Sequence, residues 1–290
     1  MFNRLTADST ARKPGGIIRI SRRGKLGLVL AAAAAAVTVA VPASQIASAQ
    51  TARATIVTSL PKPTIVLVHG AWASTSSWDG FIQRLQHLGY KVYAPANPLL
   101  GLTYDDAYIS DFLHSISGPI VLVGHSYGGA VITNAATGDK QVKALVYVDA
   151  FLPNQGESVG QLVSARPGSC VAVSDPATIF RLVPYPGAPA GAVDAYLKQN
   201  VFPNCIANGL PRSEQQTLAV TQLPLTTLAL SQKSGVPAWK TIPSWAVVGT
   251  ADHTIPPAEQ MFMAERAHAH ITQVNAGSIT CPATSLWLPS

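Results

Sequence analysis

From Thr64 onward, short apolar runs of strand length alternate with segments whose apolar residues recur at helical spacing. The runs predict strands at 64–68, 91–94, 120–123, 142–149, 244–248 and 271–274, and helices at 76–88, 104–117, 130–137 and 257–267. In the first helical segment Trp78, Phe81, Ile82, Leu85 and Leu88 fall on one face, and Gly89 ends it. Strand and helix in turn give an α/β class, a mostly parallel sheet with helices on both faces. The period fails after Phe151-Leu152-Pro153. Residues 153–242, rich in Pro and Gly with short helical pieces, are expected to form an inserted cap over the sheet.

The segment before the first strand has a different composition. A basic cluster over residues 19–25, an Ala-rich apolar run over 26–41 and Ala47-Ser48-Ala49 ahead of Gln50 read as an export signal at 1–49, followed by a linker at 50–63. Arg22-Arg23 points to the twin-arginine route, from whose usual pattern Gly24-Lys25 departs; ordinary secretion is the alternative. A retained anchor is the other reading, but the apolar run falls short of the ~20 residues a bilayer needs. The expected location is therefore extracellular, without stable membrane association once the signal is removed.

Residues 1–49 hold seven Lys/Arg and one Asp, so their loss takes the formal net charge from +6 to zero. The basic balance belongs to the leader, and no Lys/Arg cluster is left to favour nucleic acid or an anionic surface. A small neutral molecule is the expected partner, and oligomeric state is not legible. Export permits disulfides, so Cys170 and Cys205 are expected to pair, closing a loop worth about 3 to 4 kcal/mol; two buried thiols are the alternative. No Cys-x-x-Cys or paired His spacing suggests a metal, no nucleotide loop or cofactor motif occurs, and no cofactor is expected.

The strongest chemical signal is Gly124-His125-Ser126-Tyr127-Gly128, set between the apolar run 120–123 and the small-residue stretch Gly129-Ala130. A serine at a tight strand-to-helix turn, with glycines two residues to either side, projects its hydroxyl clear of the sheet. Such a turn is a nucleophile elbow, and Ser126 is the candidate nucleophile.

The order of elements, with Leu67-Val68-His69-Gly70-Ala71-Trp72 after the first strand, the elbow, and Val248-Gly249-Thr250-Ala251-Asp252-His253-Thr254-Ile255-Pro256 after the late strand, resembles the α/β-hydrolase superfamily. The wording is closest to the small serine-esterase branch that includes plant methylesterases and hydroxynitrile lyases, over residues 64–278. The resemblance implies an oxyanion hole made by the backbone N–H groups of Ala71 and Tyr127, a site lined by His69 and Trp72, and Asp252 as the triad acid. Trp72 is read equally as pocket or core, and Trp78 as core. Asp252 could instead cap or turn the chain before residue 257, and Asp149 is the rival acid.

The resemblance also implies a histidine directly after Gly277-Ser278, where this chain has Ile279-Thr280-Cys281-Pro282. None of the remaining histidines suits the role. His69, His125 and His253 sit inside the motifs, His87 and His114 on helices, and His268 and His270 before the last strand, at its far end. Regrouping the codons from the last base of an ATC at Ile279 restores Gly-Ser-His followed by Leu, Met or Val. Residues 279–290 are therefore read as an out-of-frame tail in place of the family's final helix.

The expected activity is hydrolysis of a small neutral carboxylic ester through a serine acyl-enzyme, inactive as written if the base is absent. A cyanohydrin lyase, which in that branch leans on a cap lysine, and a non-catalytic binding protein on the same fold are the alternatives. Lys198, Lys233 and Lys240 are the lysines in question.

Overall fold

The computed structural model describes residues 62–278. The expected export signal, all but the end of the linker, and the tail 279–290 with its expected missing helix lie outside the described residues.

The elements run β1 (Thr64–Val68), α1 (Asp79–His87), β2 (Val92–Tyr93), α2 (Leu102–His114), β3 (Ile120–His125), α3 (Tyr127–Ala135) and β4 (Val142–Val148). The insertion holds α4 (Val159–Val163), β5 (Phe180–Val183), β6 (Asp194–Leu197), α5 (Phe202–Cys205), α6 (Arg212–Thr221), β7 (Leu225–Thr226) and α7 (Thr227–Ser231). The alternation then closes with β8 (Ser244–Gly249), α8 (Pro257–Arg266) and β9 (His270–Val274).

Six strands form one sheet in the order β2-β1-β3-β4-β8-β9, every neighbouring pair parallel. All five residues of β1 are buried, which is why it reads as an unbroken apolar run and not as an alternation. Ile65, Leu67 and Val123 pack with Trp78, Phe81 and Leu85 of the α1 side. Val66, Leu122 and Leu145 share the larger core with residues of α2, α3 and α8. Helices thus cover both faces. The chain leaves β1 toward β2 on one side and returns to β3 on the other, so the crossovers diverge at the carboxyl ends of β1 and β3, where open α/β sheets bind ligands.

Several boundaries depart from the predicted ones for local reasons. The segment 76–88 divides into a tight turn over Thr75–Trp78 and α1, the Ser77 hydroxyl donating to Ser74 O at 2.7 Å. Helix α2 starts two residues early because the Asp105 carboxylate accepts the N–H groups of Leu100 and Gly101 ahead of it. Helix α3 starts at Tyr127, three residues early, since Gly128 and Gly129 dilute the apolar period there. The insertion contains the expected short helices and also an antiparallel sheet, β5-β6-β7, that was not anticipated; strands of two to four residues are too short to show alternation. Cys170 and Cys205 are joined in a disulfide with Cα atoms 5.6 Å apart.

Candidate active site

Ser126 stands between β3 and α3 with φ 51° and ψ −121°, a conformation L residues seldom adopt. Neighbouring backbone holds it there. Its N–H reaches Val148 O at 3.2 Å and Asp149 O at 3.1 Å, and its carbonyl accepts from Gly129 N and Phe151 N. The flanking glycines are required by space. A Cβ at Gly124 would lie 2.6 Å from Gly128 O, one at Gly129 2.5 Å from Phe151 O, and one at Gly128 would strike Val68 O. Trp72 (φ 56°) and Asp149 (φ 44°) share the unusual backbone region, which concentrates strain at this edge of the sheet.

The loop after β1 lies directly against the elbow, for a Cβ at Gly70 would come within 2.6 Å of Ser126 Cβ. Its shape is set by His69, which is buried among backbone groups. Nε2 accepts from Asn97 N at 3.0 Å, so the ring proton is on Nδ1, which donates to Gly70 O at 3.0 Å. Asn97 also donates through Nδ2 to His69 O at 2.9 Å. Burial lowers the His69 pKa and keeps the ring neutral. Both ring nitrogens are committed to backbone groups, so the His69 side chain braces the loop that carries Ala71. Tyr127 opens α3, where the first N–H groups lack intrahelical acceptors. Its side chain is anchored behind the elbow, the hydroxyl donating to Asp105 Oδ2 at 2.7 Å.

Asp252 is buried in the loop after β8. Oδ1 accepts from Thr254 N (2.7 Å) and Ile255 N (3.2 Å), and Oδ2 from Gln260 Nε2 (2.7 Å). Its carboxylate therefore turns the chain as well as being available to a further donor, since a carboxylate oxygen accepts more than one hydrogen bond. Burial raises its pKa to about 7 against the lowering effect of those hydrogen bonds. The rival Asp149, also buried, accepts from Gly249 N at 2.5 Å through Oδ1 and so ties the end of β4 to that of β8.

None of the histidines lines the pocket that holds Ser126. The His125 ring meets Trp78 edge-on at 6.2 Å in the core on the α1 face, donates from Nε2 to Ser278 O at 3.1 Å, and has its pKa driven to about 3 by burial. His253 Nδ1 pairs with Asn204 O at 2.9 Å. His87 and His114 are exposed at the last turns of α1 and α2. His270, at the start of β9, stacks on Trp245 at 5.3 Å, and His268 precedes it; the elbow is at the opposite edge of the parallel sheet. Ser278 is itself buried, and Gly277 packs so closely that a Cβ would fall 2.5 Å from Asn208 Oδ1.

Ala71, Trp72, Ser126, Tyr127, Phe151 and Thr254 line one narrow pocket, closed on the cap side by aliphatic residues of α4, β7 and α7 and by Val171. Among the described residues no charged side chain lines it. Trp72 lines the pocket and also anchors the cap, its Nε1 donating to Ala195 O at 2.9 Å and its ring stacking on Phe180 at 5.5 Å. Trp78 is fully buried under the sheet. The three cap lysines are occupied elsewhere: Lys198 Nζ donates to Ala177 O and Thr178 O, Lys233 Nζ to Gln161 Oε1, and Lys240 lies over the Trp239 ring. Asn97, Asp105, Asn208 and Gln260, which hold these loops, carry no sequence signal beyond being polar.

A parallel sheet with a serine turn at the switch point, the His69-Gly70-Ala71 loop beside it and the loop after β8 reaching the same pocket define an α/β-hydrolase architecture. The alpha/beta hydrolase family matches residues 65–284, and the chain belongs to it. The carbendazim hydrolyzing esterase of Nocardioides sp. (strain SG-4G) is 33% identical over 113 residues, 34% of this chain and 46% of that protein, so the match spans under half of that relative. An alpha/beta hydrolase of Aspergillus novofumigatus is 28% identical over 243 residues, 76% of this chain and 91% of that protein. Among solved structures, polyneuridine aldehyde esterase superposes with a TM-score of 0.64 at 17% identity, covering 78% of this chain and 95% of that one.

Proposed function

We infer that this chain is built to hydrolyse a neutral carboxylic ester through an acyl-enzyme on Ser126. The observation that carries the reading is the Ser126 elbow, pressed against the His69-Gly70-Ala71 loop and sharing one uncharged pocket with it. Ser126 Oγ attacks the carbonyl carbon, a base takes its proton, and the N–H groups of Ala71 and Tyr127 hold the oxygen that becomes anionic. Collapse expels the alcohol with that proton, and water repeats the sequence to release the acid. Asp252 orients the base. The name of the Nocardioides relative supports ester cleavage, and the engagement of Lys198, Lys233 and Lys240 away from the pocket weighs against the lyase alternative.

The base is a histidine at position 279 in the restored reading frame. Support comes from the path of the chain, which brings Ser278 O into a hydrogen bond with His125, the residue next to the proposed nucleophile. Without it, turnover falls by about a millionfold, or roughly 8 kcal/mol in barrier. Export fits the disulfide, which persists in oxidising compartments. The test is intact-mass analysis after exposure to a fluorophosphonate. One adduct on Ser126 is expected in the frame-restored protein and none in its Ser126→Ala variant; a folded, restored protein that takes no adduct overturns the assignment.

A further inference from the structure

The disulfide lies beside the acid loop, and both of its halves are bonded to it. Cys170 N donates to His253 O at 2.8 Å, while Cys205 O accepts from Thr254 Oγ1 at 3.0 Å. The residues next to the cysteines repeat the pattern. Ser169 Oγ donates to Thr254 O at 2.7 Å and Asn204 O pairs with His253 Nδ1. Three residues beyond Cys205, Asn208 Nδ2 donates to Ala251 O at 2.7 Å and packs on Gly277, where the chain turns toward the elbow. The loop being held is short and has its own demanding geometry, because Thr254 N and Ile255 N must both point at the buried Asp252 carboxylate.

These contacts come from two cap segments separated by 35 residues, the first irregular at Cys170 and the second only the one-turn α5 that ends at Cys205. Hydrogen bonds between such segments are individually weak and are lost easily when the segments are free to part. The covalent link prevents that parting. The bond is also within reach of solvent: Gly168, Ser169, Cys170, Asn204, Cys205 and His253 line an open groove, and Cys170 is the more exposed cysteine, Cys205 being buried.

We propose that the Cys170–Cys205 disulfide, with Asn208, is a positioning clamp for the Asp252 loop and for the Gly277-Ser278 approach to the elbow, and that a dithiol reductant releases it. This rests on the ester-hydrolase reading only for its consequence, not for the clamp itself. A reductant thiolate attacks Cys170 Sγ and the S–S bond breaks, leaving the electron pair on Cys205 Sγ, which takes a proton. The second thiolate of the reductant then attacks its own sulfur in the mixed disulfide and frees Cys170 as a thiol. Two electrons and two protons pass from the dithiol, which leaves as a cyclic disulfide. The sheet and the elbow, bonded to Val148, Asp149 and Phe151, do not depend on the link.

The experiment is hydrogen exchange by mass spectrometry on the full chain, oxidised and after dithiothreitol treatment without denaturant, with thiols counted by alkylation. Reduction is expected to give two new thiols and exchange about tenfold faster over residues 250–256 and 275–278, with β1 and β3 unchanged. Thr254→Val, which keeps the disulfide but removes the bond to Cys205 O, is expected to reproduce part of the effect at 250–256. Unchanged exchange in those segments after full reduction overturns the clamp, as does a disulfide that dithiothreitol cannot reach in the folded protein. Exchange that rises equally throughout also overturns it, since the link would then be a global staple. In the frame-restored protein, kcat is expected to fall about ten- to a hundredfold on reduction, with a smaller change in KM. Loss of esterase activity in both redox states, with the exchange difference intact, would count against the functional reading and leave the clamp standing.

Discussion

At the residue scale the elbow was legible because its glycines have no substitute. The space at Gly128 is closed by the carbonyl of Val68, so Gly128→Ala is expected to cost about 1 to 3 kcal/mol, read as a lowered midpoint in urea. The ionisation of Asp252 was not legible, since it follows from burial. Its folded pKa, raised to about 7, lies above the ordinary carboxylate value of 3.8, so between these the folded protein holds a proton the unfolded chain has lost. Its contribution to stability is therefore full below about pH 4 and is lost as pH rises through 7. His125 has the opposite sign. Held neutral down to about pH 3, it favours the folded state above the ordinary histidine value of 6.5 and gives that up as pH falls. Asp252→Asn is expected to remove the decline in stability on the way from pH 4 to 7, seen as a smaller difference in urea midpoint between those values; an unchanged pH slope would contradict the assigned burial effect.

At the scale of elements, the inner strands β1, β3, β4 and β8 could be read because buried parallel strands are largely continuous apolar runs, while the edge strands β2 and β9 are half-buried or exposed and were read from their place in the alternation. The cap could not. Its strands are two to four residues long, and its position depends on tertiary contacts such as Trp72 to Ala195 and on ion pairs across 93 and 109 residues of sequence. Arg166 pairs with Glu259 of α8, while Arg266 of α8 takes both oxygens of Glu157 at 2.6 and 2.8 Å. Both guanidinium groups lie over Phe262, at 4.5 and 5.2 Å. Glu259 is fully buried and its pKa is raised by that burial against the pull of Arg166. Arg166→Ala thus strands a buried carboxyl, and about 2 to 3 kcal/mol of stability is expected to go, discounted because Arg166 is itself a third exposed. Adding Glu259→Gln should recover part of that loss in the same denaturation experiment. Trp72→Phe keeps the ring against Phe180 but removes the bond to Ala195 O, and a severalfold rise in KM with about 1 kcal/mol lost is the expected result.

At the scale of the whole molecule, the resemblance read from three motifs agrees with the family to which the chain belongs, and the α/β architecture follows from the alternation alone. What the motifs could not convey is how completely the loops support one another. The chain closes from Gly277 onto Asn208, from Asn208 onto the Asp252 loop, and from Ser278 onto His125 beside Ser126. No described histidine lines the pocket of Ser126, so the proposal places its base among the residues after Ser278. Hydrolysis of a short-chain p-nitrophenyl ester, by the chain as written and by one whose tail is restored to Gly-Ser-His, each beside its Ser126→Ala variant, tests the account most directly. The expected result is hydrolysis by the restored protein alone, abolished by Ser126→Ala; a folded, restored protein without Ser126-dependent hydrolysis, or equal activity in both tails, would contradict it.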